Sequence, residues 1–219
     1  MNTPSLIRAA ASVSACVALV AVSGCGATVT GAQERPRVTI ENCGVEQTYE
    51  RPDRAIAYDM SSIEKMFALG LADRMRGMVL PKTAIEPSER SPWAADYRRT
   101  PNLSTDVLSL ETVVDAKADW VLAGWNAGFS EERGITPARL ADLGIDSYQH
   151  TETCFNYGED PEEPVPPLEA MYADLTTIGR VFGVEDKATQ VVGDLRDRAD
   201  RLAEQRMRQV GRLRSILLP

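Results

Sequence analysis

Short apolar segments alternate with segments of helical periodicity between residues 54 and 149, and this alternation constrains the fold more than any other feature. Residues 54–58, 75–80, 120–123 and 145–149 have the length and apolar character of buried strands. Helical spacing follows Ser61 or Ser62 and recurs over residues 110–116 and 137–143. This order predicts an α/β fold, in which helices flank a largely parallel sheet.

The rest of the chain divides into a hairpin, a loop, a linker and long helical stretches. Residues 38–40 and 45–49 flank Asn42-Cys43-Gly44, which predicts a β-hairpin. Residues 81–101 are polar and contain proline, which indicates a loop, and the acidic, proline-rich residues 159–167 indicate an extended linker. Two amphipathic stretches predict a long helix over 168–214, with Gly183 ending or kinking its first part. Residues 215–218 suggest a further buried strand, so that 215–219 would begin a second lobe.

The N-terminus has the pattern of an export signal. An apolar segment over about residues 9–22 follows Arg8 and is too short to span a bilayer, which needs roughly 20 apolar residues. The sequence Val22-Ser23-Gly24-Cys25 resembles a bacterial lipobox. That resemblance implies removal of residues 1–24, acylation of Cys25 and a palmitate-type anchor on the outer face of the cell membrane. Residues 25–37 would be a flexible tether. A plain signal peptide cut elsewhere, with Cys25 as a thiol, is the alternative.

The charge of the chain excludes one class of partner. The sequence has 24 basic and 32 acidic residues, a net charge of −8. Nucleic-acid binding depends on neutralising phosphates with Lys and Arg, so an acidic chain argues against it. An acidic body also does not lie flat on anionic lipid, so the anchor alone would provide the membrane contact.

Two cysteines remain once the predicted signal peptide and the lipid site are set aside. They are Cys43 and Cys154, an even pair in an oxidising compartment. We expect them to form a disulfide, and two buried free thiols are the alternative.

Several sequence blocks together resemble the class III periplasmic binding proteins, the substrate-binding lipoproteins of ABC importers for iron-siderophores, heme and corrinoids. The blocks are residues 54–59 (RAIAYD), 62–77 (SIEKMFALGLADRMRG), 109–123 (SLETVVDAKADWVLA), 140–145 (LADLGI) and 175–184 (LTTIGRVFGV). The resemblance covers about residues 38–210. It implies an N-terminal lobe over 38–158 and the long helix that joins two lobes around a ligand cleft. The second lobe is absent from the sequence, so we expect a fragment, or a truncated or frame-shifted gene.

The candidate ligand residues follow the carboxyl ends of the predicted strands, where open α/β sheets bind ligands. Asp59, Pro81, Trp125 and His150 begin these loops. Met60 and Ser61 lie at a helix N-terminus, whose free N–H groups favour anionic atoms. The resemblance implies an aromatic ligand contact at Trp125. The remaining candidates are the neighbouring Asn126 and the loop residues Lys82, Trp93, Tyr97 and Arg98.

Glu111 is the candidate contact with an importer. In the family, an acidic residue of the short helix before this strand meets arginines of the permease, and Glu111 occupies that position in Leu110-Glu111-Thr112. The implied partners are therefore the permease and ATPase complex and a small metal chelate. A ferric siderophore is the first expectation, with heme, a corrinoid or another chelate as alternatives.

Three other functions remain to be weighed. A receptor for bare zinc or manganese needs several His and carboxylate ligands, and the chain has one histidine, His150. We find no nucleophile elbow, zinc-protease motif or phosphate-binding loop, so we expect neither an enzyme nor a resident cofactor or metal. A tethered one-lobed interaction module or a non-functional truncated receptor stays as the alternative.

Overall fold

A computed structural model of the chain describes residues 36–126, 128–157 and 165–217, with side chains described except at 155–157 and 211–217. The strands are β1 (Arg37–Asn42), β2 (Val45–Glu50), β3 (Ala55–Tyr58), β4 (Met75–Val79), β5 (Asn102–Ser104), β6 (Trp120–Ala123) and β7 (Asp146–Gln149). The α-helices are α1 (Asp59–Ala68), α2 (Lys82–Glu89), α3 (Ala94–Arg99), α4 (Leu110–Asp115), α5 (Pro137–Ala141), α6 (Pro167–Phe182) and α7 (Glu185–Leu217). Two 3-10 helices span Ala72–Arg74 and Thr151–Tyr157.

Five strands form one parallel sheet in the order β5-β4-β3-β6-β7. All four residues of β3 and all four of β6 are buried, as expected for strands covered on both faces. One core holds Ile63 and Met66 of α1 with Ile178 of α6, and the other holds Val113 of α4 and Leu140 of α5. The predicted α/β architecture with a parallel sheet is therefore confirmed.

The β1–β2 hairpin lies beside the outer edge of β7. Cys43 and Gly44 form its two-residue turn with φ of 50° and 75°, the left-handed backbone that such hairpin turns require. The side chain of Asn42 accepts from the N–H of Gln149 and donates to its carbonyl, at 2.9 and 2.8 Å. The Tyr49 hydroxyl donates to the carbonyl of Ser147 at 2.6 Å. Side chains of the hairpin thus form hydrogen bonds with the outward-facing backbone groups of β7, an edge strand of the sheet.

Two consecutive helices replace the single long helix predicted over 168–214. Gly183 adopts a left-handed conformation with φ of 68° and ends α6, as its position in the sequence suggested. The helices then pack closely, because a Cβ on Gly179 would lie 2.5 Å from the Cβ of Ala188. Helix α7 continues through residues 215–217, so the strand predicted to begin there is wrong.

Other local predictions also differ from the structure. The segment predicted as a loop over 81–101 contains α2 and α3, and β5 was not predicted. Helix α1 begins at Asp59, so neither Ser61 nor Ser62 caps it as predicted. The signal peptide, Cys25, most of the tether and the acidic run of the linker lie outside the described residues. None of the described helices is long and apolar enough to cross a membrane.

Candidate ligand-binding edge of the sheet

The chain reverses its direction of travel across the sheet between β3 and β6. From β3 it proceeds outward to β4 and β5, and it then returns to place β6 on the other side of β3, followed by β7. Such a switch point, at the carboxyl ends of parallel strands, is where open α/β sheets bind ligands. Asp59 and Trp125 follow the two strands that border it, and Pro81 follows β4. We call the edge formed by Asp59, Met60, Pro81, Trp125 and Asn126 the strand-exit edge.

Asp59 has an unusual backbone at this edge. Its φ is 64°, a left-handed conformation uncommon for a residue with a side chain. Its Oδ1 accepts from the N–H groups of Ser61 and Ser62 at 2.8 and 3.2 Å, so the Asp59 carboxylate provides the helix cap predicted for the serines. Burial raises the pKa of Asp59 against the opposing effects of these bonds and of the charge at His150. Strained backbone of this kind is frequent where ligands bind.

Trp125 and Asn126 lie on a closely packed loop over the switch point. Only glycine fits at position 128, because a Cβ on this residue would lie 2.5 Å from the Cβ of Ala123 and 3.2 Å from the Tyr58 ring. The Arg133 guanidinium donates to the carbonyls of Asn126 and Gly128 at 3.0 and 2.9 Å. Trp125 is half-buried against the core beneath the loop, and Asn126 is exposed. Among the described residues of this loop, Arg133 therefore holds the backbone on both sides of residue 127.

The other predicted ligand residues are spread between the strand-exit edge and α1. Met60 is half-buried against the core on the α1 side of the sheet, whereas Ser61 is exposed. Pro81 is half-buried, and the exposed Lys82 donates its N–H to the carbonyl of Thr105 at 3.0 Å. Met60 and Trp125 thus pack against opposite sides of the sheet while both lie at its carboxyl edge.

The turn between α2 and α3 is held against α1 rather than over the strand ends. The Ser91 hydroxyl donates to a Glu64 carboxylate oxygen at 2.6 Å. Trp93 is half-buried against the α1 core, and Arg98 is exposed on α3.

The structure contradicts one of these ligand predictions. Tyr97 is only 6% exposed, and its ring packs edge-on against Phe67 with centroids 5.1 Å apart. It is a core residue, because α3 turns its apolar side toward α1 instead of leaving Tyr97 in an open loop.

A buried polar network lies next to the strand-exit edge and was not predicted. His150 Nε2 is 2.7 Å from the Ser62 hydroxyl, and His150 Nδ1 is 2.5 Å from Lys65 Nζ and 3.1 Å from Asp174 Oδ2. Lys65 also donates to Asp174 Oδ2 at 2.9 Å. The Nδ1 atom accepts from Lys65 or donates to Asp174, but not both. We call Ser62, Lys65, His150 and Asp174 the buried network.

Asp174 holds the network to α6. Its other oxygen, Oδ1, accepts from the Tyr148 hydroxyl at 3.0 Å, and from the Thr151 N–H and hydroxyl at 3.0 and 2.7 Å. Burial alone would raise the pKa of Asp174, but the hydrogen bond from His150 and the charge of Lys65 outweigh it and hold the pKa well below its usual range. Asp174 is therefore a carboxylate inside the protein, joining α6 to α1 and β7.

Two sequence signals could have revealed this network. Asp174 falls next to Leu175 in the apolar stripe of α6, where a solvent-exposed acid would not be placed. His150 is the only histidine and follows a buried strand. Gly124 completes the arrangement, because a Cβ there would meet Thr153 at 3.3 Å and His150 at 3.6 Å. Among the described residues, no group of three or more His, Cys, Asp or Glu could hold a metal ion.

The remaining predicted site residues lie away from this edge. Glu111 is exposed in the first turn of α4 and borders a shallow depression shared with Arg76, Pro101 and Asp115. Cys43 and Cys154 are joined by a disulfide with a Cα–Cα distance of 5.0 Å, which links the hairpin turn to the 3-10 helix after β7.

A separate crevice of about 700 Å³ runs between the hairpin, α5 and the outer edge of β7. Its lining includes Val45, Ala138 and Ile145 but none of the residues predicted to bind ligand.

Comparison with solved structures identifies the architecture. An ABC-type Fe3+-hydroxamate transport protein from Saccharomonospora viridis matches at 26% identity and a TM-score of 0.58, over 75% of this chain and 55% of that one. The fold is that of one lobe of a class III periplasmic binding protein. A periplasmic binding protein from Veillonella parvula matches at 23% identity and a TM-score of 0.62, over 78% of this chain and 53% of that one.

A third match is a heme-binding protein, HmuT, at 16% identity and a TM-score of 0.51, over 81% of this chain and 52% of that one. The chain therefore spans about half the length of the periplasmic binding proteins it resembles, and those are transport-associated binding proteins rather than enzymes. No protein-family model matches the chain, and no curated protein does.

Proposed function

We propose that the chain is an extracytoplasmic substrate-binding lipoprotein of an ABC importer, which captures a ferric siderophore or a similar metal chelate and delivers it to a permease. The observation that carries the proposal is the strand-exit edge itself. Asp59 and Trp125 flank the switch point of a lobe whose fold matches an Fe3+-hydroxamate transport protein. Trp125 would offer an aromatic face to the chelate, and the exposed Asn126 would offer donor and acceptor groups.

The chemistry of this edge supports a chelate rather than a bare ion. The described residues provide no cluster of metal ligands, whereas a ferric ion already wrapped by an organic chelator needs few ligands from protein. Specificity would then depend on shape and on a few polar contacts around an apolar surface.

Ligand titration of the purified chain tests the proposal. We expect a ferric hydroxamate siderophore to quench tryptophan fluorescence, with heme and cobalamin as comparison ligands. Trp125→Ala should weaken binding by about tenfold, the scale of a lost aromatic contact of roughly 1–1.5 kcal/mol. Leu143→Ala serves as the matched control, because Leu143 is 46% exposed before the start of β7, at the opposite end of the strands. Unchanged affinity in Trp125→Ala would contradict this assignment.

Attachment to the membrane is a separate part of the proposal. If the lipobox-like sequence ending at Cys25 is processed, a lipid on Cys25 would anchor the chain, and a tether would connect that anchor to the lobe. Cys25→Ala should release the protein from the membrane fraction of cells, and metabolic labelling with a fatty acid should be lost. A protein that stays in the membrane fraction unlabelled would contradict the anchor without affecting the ligand assignment.

A further inference from the structure

The crevice between the hairpin, α5 and β7 has a floor that is more polar than the fold requires. Ile145 packs in the core with Leu140 of α5, whereas Tyr148 packs in the core on the α1 side. Because successive side chains of a strand point to opposite faces, Ser147 and Gln149 share the α5 side with Ile145. They are only 4% and 1% exposed, at inward positions where packing alone favours apolar residues.

Gln149 carries a hydrogen-bond acceptor for which the described part of the chain provides no donor. Its Nε2 donates to the carbonyl of Thr153 at 2.8 Å. This bond orients the amide, because the reverse orientation would place two acceptor oxygens together. The Oε1 atom is buried, and none of the described residues donates to it. A buried acceptor without a donor is destabilising, so a bound molecule that brings a donor to Gln149 would stabilise the folded chain.

The space above this floor has the size of a small-molecule site. Its volume of about 700 Å³ lies within the range of roughly 300–1,000 Å³ that is usual for such sites. The crevice is open because α5 has five residues and is about 7.5 Å long, whereas the four residues of β7 rise about 13 Å. Its walls are apolar at Val45 of the hairpin and at Ala138 and Ala141 of α5.

The charge of the lining limits the kind of molecule that fits. Among the described residues that line the crevice there is no lysine or arginine, so none of them would neutralise an anion. Asp146 is the acid among them, but it precedes Ser147 and its side chain therefore points to the opposite face of β7. Burying a charge of either sign against Ser147 and Gln149 would be costly. Uncharged N–H and O–H groups are the partners that suit this floor.

We propose that the crevice is a second small-molecule site, which binds an uncharged amphiphile with a terminal N–H or O–H donor. The apolar body of this ligand lies between Val45 and Ala141, and its donor bonds to Gln149 Oε1. The site uses neither the strand-exit edge nor a metal chelate, so it goes beyond the proposed function and can fail independently of it.

Equilibrium dialysis of the full chain against 3-phenylpropanamide tests the proposal. The comparison compounds are N,N-dimethyl-3-phenylpropanamide, which has no N–H donor, and the anion 3-phenylpropanoate. We expect the primary amide to bind about fivefold to tenfold tighter than the dimethyl amide, the scale of one hydrogen bond, and the anion to bind more weakly than the primary amide. Equal affinity for the three compounds would overturn the proposal. Binding of none of them would also overturn it, and would leave Gln149 Oε1 to a water molecule.

Three variants locate the bound amide. Ala141→Trp fills the crevice from an exposed position on α5 and should abolish binding, whereas Ala95→Trp, at an exposed alanine of α3, is the matched control and should bind normally. Gln149→Met, with its fold checked by circular dichroism, should lose the preference for the primary amide over the dimethyl amide. Undiminished binding by Ala141→Trp, or an unchanged preference in Gln149→Met, would overturn the assignment.

Competition separates this site from the strand-exit edge. An excess of a ferric hydroxamate siderophore should leave the amide bound, whether or not the siderophore itself binds. Displacement of the amide would place it at the strand-exit edge and overturn the second site, while supporting the proposed function. A bound amide together with no binding of siderophore would contradict the proposed function and leave the second site standing.

Discussion

At the residue scale, Asp174 is a buried carboxylate that joins three elements through its hydrogen bonds. It is 1% exposed, and it accepts hydrogen bonds from Lys65, Tyr148 and Thr151. Taking a carboxylate and an ammonium out of water is costly, and the cost is offset only when both remain paired. The network therefore fixes how α6 meets α1, and both groups must be present for it to do so.

Removing the charge of Asp174 should be strongly destabilising. Asp174→Asn leaves Lys65 buried without its counter-ion, and we expect the free energy of unfolding to fall by about 3–5 kcal/mol. Asp194→Asn on α7 is the matched control, because Asp194 is exposed, and it should change stability by less than about 0.5 kcal/mol. Urea denaturation at pH 7 measures both. A loss below about 1 kcal/mol in Asp174→Asn would show that the network does not hold the helices.

The same residue predicts a dependence on pH. The pKa of Asp174 is lower in the folded chain than its usual value near 3.9, so its carboxylate stabilises the folded state fully above about pH 5. That contribution declines as the pH falls toward the folded pKa. The stability difference between the native chain and Asp174→Asn should therefore shrink between about pH 5 and pH 2. A constant difference over that range would contradict the shifted pKa.

At the element scale, the left-handed end of α6 sets the direction of α7. Gly183→Ala should destabilise the chain by about 1–2 kcal/mol, because a residue with a Cβ disfavours φ near 68°. The new Cβ would also lie within 3 Å of the Arg51 guanidinium, which would have to move.

Gly193 of α7 provides the opposite control for the same substitution. A Cβ added to Gly193 would have no other atom within 4 Å, so Gly193→Ala should stabilise the helix by about 1 kcal/mol. Thermal unfolding compares the two variants. Equal shifts of Tm in the same direction would contradict the role given to Gly183.

The disulfide is the second prediction at this scale. Cys43 and Cys154 close a loop with a sequence separation of 111, so replacing both by serine should lower stability by up to about 4–5 kcal/mol in the chain-entropy model. Mass spectrometry of the unreduced protein should find neither thiol free to alkylate. Two alkylated thiols at these positions would contradict the pairing.

The elements that the sequence predicted well are those with the densest apolar runs. Strand β6 has the predicted bounds, and the hairpin, α4 and the end of α6 at Gly183 were also anticipated. Helices α2 and α3 were missed because they are short, have no side-chain cap, and in α2 include Pro87. Strand β5 has only three residues, too few for periodicity to be visible. The buried network was missed because its members come from three distant segments that only the fold brings together.

At the scale of the whole molecule, Glu111 and the strand-exit edge occupy different places. Glu111 borders a depression with Arg76 and Pro101, which precede or begin strands, whereas Asp59 and Trp125 follow them. The docking role of Glu111 therefore stays a prediction of the family resemblance, and it concerns a different surface from the strand-exit edge.

Charge reversal tests this role. Glu111→Lys should reduce uptake of a labelled ferric chelate by at least about tenfold, because it places a cation against the arginines expected on the permease. Ligand affinity should not change. Glu89→Lys is the matched control, an exposed acid on α2, and should transport normally. Normal uptake by Glu111→Lys would remove the docking assignment.

The side chains that the hairpin lays along β7 have a consequence for solubility. An exposed edge strand is a template on which other chains add strands and begin to aggregate. The side chains of Asn42 and Tyr49 hydrogen-bond to the outward-facing backbone groups of Gln149 and Ser147. These groups are therefore not available to pair with an incoming strand. The hairpin therefore blocks the addition of another strand at these positions of β7.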